Sequence, residues 1–163
     1  MNVNDDLIRE HFFSEIPNYL STLSESSRPL WGDFSPQQMV EHLIWIFRGS
    51  NGDLNFPVLT PAEKLERNRQ FLMSDQPIMK NFKISLLAEG LPALEYPDLA
   101  SAKAALIAQS DRFIQRYQAK DETIYNNAVF GPLTVGEWHH FHYKHCLHHL
   151  AQFDLVQDPA YSS

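Results

Sequence analysis

The sequence predicts an all-α protein, a four-helix bundle with one extra short helix and an irregular cover segment. Three observations carry this. Apolar residues in the long segments recur at spacings of three and four rather than two. Two segments, FSPQQM and LTVGEW, each hold a cap residue, a glutamine or glutamate three positions later, and apolar residues flanking them, which is how helices begin. No segment alternates apolar and polar residues strongly enough to read as a strand. At 163 residues the chain is expected to form a single domain spanning 1–163.

The elements follow in order. Leu7, Ile8, Phe12, Ile16, Tyr19, Leu20 and Leu23 keep helical phase and predict one amphipathic first helix. Ser35 caps the second, with Pro36 at its first position, Gln38 completing a capping box, and Phe34 facing Met39 as a staple. It should run to about Arg48, where Gly49-Ser50-Asn51-Gly52 ends it. LTPAEKLERNRQFLMS predicts a shorter, more polar helix capped by Thr60. Residues 75–97 hold Pro77, Pro92 and Pro97 and no clear period, so they read as irregular cover. Asp98 opens a helix whose stripe is Leu99, Ala102, Leu106, Phe113 and Tyr117. Thr134 caps the last one, with Glu137 completing the box and Leu133 facing Trp138; it should end near Phe153.

The charge balance narrows the function. A net charge of −7 counts against a nucleic-acid binder, which needs a basic stripe, and against docking on anionic lipid. The acids of MNVNDDLIRE stand where a signal peptide carries basic residues, and no apolar run approaches membrane-spanning length. The single cysteine, Cys146, cannot form an internal disulfide. A soluble, cytoplasmic protein is the expectation, with a small molecule as its partner. The apolar helix faces would also serve a homodimer.

The chemistry concentrates in EWHHFHYKHCLHHLAQF, where six of the eight histidines fall within eleven residues. Projected at ~100° per residue from Trp138, His142 falls at ~40°, His145 at ~340° and His149 at ~20°. Gln152 shares this stripe. The stripe lies within the apolar arc, so these three are not a solvated patch. His139, His140 and His148 are expected on the surface or against neighbouring helices. Three stacked imidazoles would repel one another if protonated and lack partners if neutral. A cation resolves this by taking a lone pair from each. Residues four apart on a helix sit ~5–6 Å apart at Cβ, which suits His145 and His149 as two ligands of one ion. A third must come from elsewhere. His42, beside Met39 and Ile46 at the edge of its apolar face, is the candidate, and His11 is the only other histidine left. The missing glutamate after His145 counts against a zinc protease of the H-E-x-x-H kind.

A histidine on the second bundle helix with H-x-x-H-H late in the last one resembles the DinB-like (YfiT-type) metal-binding bundle superfamily. LWGDFSPQQMVEHL and VFGPLTVGEWHHFHYKHCLHHLAQF are similar to a branch classed as a domain of unknown function, and the likeness covers residues 29–155. The resemblance implies a four-helix bundle holding a divalent ion on His42, His145 and His149. It also implies, from some members, thiol-dependent transfer or isomerisation with a low-molecular-weight thiol. The chain departs at Asn127-Ala128-Val129-Phe130-Gly131, where the branch often reads H-P-x-F-G.

The expected ion is zinc or nickel, both suited to imidazole, with iron and manganese also accepted by such sites. His142, Gln152, Gln38 and Trp138 are expected around it, as ligand-orienting or pocket residues. No general base stands out. Two functions follow: a metal-dependent enzyme of the thiol-transferase or hydrolase type, or a non-catalytic interaction module whose ion is structural or adventitious. An open coordination position favours the first; a fourth protein ligand, such as His142, favours the second.

Overall fold

The computed structural model describes residues 3–80, 82, 91–158 and 161. Six helices and one short hairpin follow in the order α1 Val3–Ser14, α2 Ile16–Leu20, α3 Pro36–Ser50, α4 Ala62–Met73, α5 Leu99–Gln118, β1 Tyr125–Asn127, β2 Gly131–Leu133 and α6 Val135–Gln152. The pair α1–α2, with α3, α5 and α6, makes the bundle, and α4 lies on α6 as the extra helix. Among the described residues no helix is long and apolar enough to cross a membrane.

Both capping boxes form. Ser35 accepts from the Gln38 amide while Gln38 Oε1 accepts from Ser35 N–H at 2.8 Å, and Thr134 and Glu137 repeat the exchange at the start of α6. Asp98 caps α5 by accepting from Ser101. These caps set where each helix begins, and therefore which residues turn toward the core. Phe47, Leu43, Ile44, Leu106, Phe113 and Trp138 are fully buried there.

Four details differ from the sequence reading. The first helix is two, α1 and α2, broken at Glu15. Pro17 has no amide hydrogen for the Phe13 carbonyl and its ring crowds that carbonyl, so the helix cannot run through. Leu7 and Ile8 are exposed, while Arg9 is buried in their place. Asp6 pairs with that guanidinium and His139 Nδ1 accepts from its Nε at 3.1 Å, which offsets the cost of burying it. The cap of α4 is Pro61, which offers no side-chain acceptor; Thr60 stands one residue outside.

The hairpin was not foreseen. Tyr125–Asn127 pairs antiparallel with Gly131–Leu133, strands too short for an alternating pattern to register. Its signal was turn chemistry. Asn127 Oδ1 accepts the amides of Val129 and Phe130 at 2.9 and 3.1 Å, and Gly131 takes φ 78°, a conformation that penalises a side chain. The described parts of 75–97 form neither helix nor strand; residues 81 and 83–90 of that segment lie outside the described residues.

Candidate metal centre

α3 and α6 cross with His42 facing His145 and His149. Their three rings form a near-equilateral triangle, with centroids 4.9, 4.9 and 4.7 Å apart. One nitrogen from each lies within 4.8 Å of the other two, and His42 Nε2 is 3.0 Å from His145 Nε2. An ion ~2.0–2.1 Å from two nitrogens at a tetrahedral angle needs them ~3.3 Å apart, so this pair is already at bridging distance.

The donors are in the right chemical form. Burial lowers the pKa of His42 to about 4, helped by charge on His148. Burial also pushes His145 and His149 well below the usual imidazole range, and repulsion from neighbouring imidazoles adds to it. All three are therefore neutral at pH 7 and each offers a lone pair. For His149 the tautomer follows from its partner. Gln152 Oε1 accepts from Nδ1–H at 2.8 Å, which leaves Nε2 bare. Gln152 in turn donates to the Trp31 carbonyl at 2.9 Å, so the ring is anchored to the segment before α3. His145 Nδ1 is buried without a partner, and the Phe141 ring stacks on this imidazole at 5.1 Å. Phe34 packs against both His42 and His149, at 5.2 and 5.5 Å. Three neutral imidazoles, two rings fixed by packing or a hydrogen bond, and a nitrogen pair at bridging distance fit a divalent transition-metal ion.

The other expected residues are placed differently. His142 sits in the core, stacked on Phe47 at 3.8 Å. The Ser50 hydroxyl donates to the Phe47 carbonyl, so its oxygen accepts from His142 Nε2–H at 2.7 Å. That nitrogen is thus committed to Ser50, and His142 is not among the three clustered donors. Trp138 packs beneath His142 and donates to the Tyr125 carbonyl at 3.0 Å, tying α6 to the hairpin. Gln38 spends its Oε1 on the helix cap, although it borders a small cavity of about 50 Å³ beside His42. Cys146 is buried, and desolvation pushes its thiol pKa up, away from thiolate character. His11 is exposed. His139 and His148 are buried against neighbouring elements, and His140 is partly so.

Several neighbours of the site escaped sequence reasoning. His148 joins His145 and His149 in lining a cleft of about 1140 Å³ bounded by α4, α6 and the hairpin loop. Phe34 and Trp31 carried a signal, since both stand in the LWGDFS motif, but a staple and a loop aromatic explained them equally well. Glu41, adjacent to His42 in sequence, is occupied elsewhere. Its carboxylate accepts from the Glu95 amide at 2.6 Å and from Gln37 at 2.8 Å, pinning the end of the cover segment to α3. Asn127, at the position where a histidine is frequent in the similar branch, serves the hairpin turn rather than the cluster.

Searches of curated proteins and of solved structures each found no match. A family profile described as the DinB superfamily matches residues 26–153, from the segment before α3 through the last helix. That span is most of the chain and contains all three clustered histidines, and the chain therefore belongs to the DinB superfamily.

Proposed function

We propose that this protein is a metal-dependent enzyme acting on a small molecule, as a thiol-dependent transferase or a hydrolase, with its ion on His42, His145 and His149. The observation that carries the proposal is a three-nitrogen donor set, two of whose histidines, His145 and His149, line an open cleft. Catalytic sites keep such a position free, whereas structural sites fill it with a fourth protein ligand. His142 was one residue able to fill it, and it stands outside the donor cluster, with its Nε2 on Ser50. This favours an enzyme over an interaction module.

When bound, a zinc or nickel ion supplies Lewis acidity, which polarises a carbonyl or lowers the pKa of a coordinated thiol or water. The chain's own residues do the rest. His42, His145 and His149 stay neutral because they are desolvated, so no proton competes for their donor nitrogens at pH 7. Gln152 holds the proton on His149 Nδ1 and fixes the plane of that ring through Trp31. Phe34 and Phe141 restrict the rings by packing. The cleft excludes water from the substrate's apolar parts, and no carboxylate among the described residues lines it.

The test is an activity panel on zinc- and nickel-loaded protein, with thiol transfer to electrophiles from several low-molecular-weight thiols, and ester and amide hydrolysis. The expected result is turnover in one class that chelation abolishes and His42→Ala removes. Turnover that survives both, or none in any class, contradicts the proposal.

A further inference from the structure

The cleft beside the cluster is large for a small polar metabolite. Its volume of about 1140 Å³ stands at the upper end of small-molecule pockets, which run to roughly 1000 Å³. Its inner wall is apolar, built by Phe56, Phe71, Phe130, Phe141 and Ile78. Its charge is one-sided. The chain carries 20 acidic residues against 13 Lys and Arg, yet the charged residues lining the cleft are Lys64 and Arg67. They are three apart on α4, so they share a face of that helix. Both are exposed, and neither belongs to an ion pair among the described residues. The neighbouring cations are engaged. Arg69 pairs with Glu137, and Lys144 donates to the carbonyls of Phe71 and Gln76.

We propose that the cleft binds an elongated apolar small molecule bearing an anionic group. Its body lies against the aromatic wall and its anion on Lys64 and Arg67. This names a substrate class for the enzyme proposed above and rests on that reading only for the claim that the ligand is turned over. Binding itself needs the wall and the two cations. An unpaired cation pair at the mouth of an apolar cavity selects against cations and against neutral chains, because only an anion gains from both surfaces.

Calorimetric titration of the full chain tests this, using decanoate, dodecanoate and dodecylammonium below their micelle concentrations, with the protein metal-free and zinc-loaded. The expected result is one dodecanoate per chain, bound about fourfold tighter for each methylene gained over decanoate. Lys64→Glu with Arg67→Glu should weaken it about tenfold while circular dichroism and zinc stoichiometry match the parent. Dodecylammonium binding as tightly as dodecanoate overturns the proposal, and so does an affinity that the double reversal leaves unchanged. The two readings fail separately. Zinc bound without dodecanoate binding removes this inference and leaves the metal centre. Dodecanoate bound by a protein that takes up no zinc supports this inference and removes the enzyme reading.

Discussion

Acid should unfold the metal-free protein well above the pH at which carboxylates protonate. His42 and His148 are held at about 4 and His139 at about 3, each mainly by desolvation. In the unfolded chain each returns to ~6.5. The folded values are the lower ones, so their contribution is fully present above pH 6.5. It is lost as pH falls from there toward 4, where the unfolded chain takes up protons that the fold refuses. Between pH 7 and pH 5 each such histidine costs on the order of 2 kcal/mol of unfolding free energy. The three together cost on the order of 5 kcal/mol, the size of a small domain's whole stability. His142, His145 and His149, also depressed, push the same way. The assay is urea unfolding followed by far-UV circular dichroism at pH 7, 6 and 5, with chelator present. The chelator matters because an ion at a hundredfold excess over its Kd adds about 2.7 kcal/mol to the folded state. Urea midpoints that coincide from pH 7 to pH 5 would refute the reasoning, since they would mean that these rings are protonated in the fold or never desolvated.

Two substitutions probe the site's supports. Gln152→Ala removes the acceptor of His149 Nδ1–H and should weaken zinc binding roughly 10- to 100-fold in a competitive chelator titration, with the helix content unchanged. Gly49→Ala places a Cβ into the Phe56 ring, where α3 passes the cleft wall, and should lower stability by about 1–3 kcal/mol in urea.

Much of this molecule is legible in the sequence because helix ends carry local chemistry. Ser35–Gln38 and Thr134–Glu137 are complete within four residues, so they fix two helix starts without tertiary information. The angular phase of α6 then puts His145 and His149 on one face. Other features depend on contacts that a periodic pattern does not contain. Arg9 replaces Leu7 and Ile8 in the core because Asp6 and a histidine 130 residues away satisfy it. His142 shares the stripe of the clustered histidines, yet Ser50, read only as part of a helix stop, claims its Nε2. Trp138 and Gln38 were expected around an ion; one holds the hairpin and the other closes a cap. The hairpin, three residues per strand, is too short for periodicity and shows only in Asn127 and Gly131. The cleft arises from α4, the hairpin loop and α6 together, and no single segment announces it.

The central claim is that His42, His145 and His149 hold one ion. It is tested most directly by elemental analysis of the purified, untagged protein beside a His145→Ala, His149→Ala double variant. The account predicts about one equivalent of a transition metal in the parent, zinc or nickel first, and loss of that metal in a variant that remains folded. A parent that holds no metal even after zinc and nickel are added, or a variant that holds as much as the parent, would contradict it.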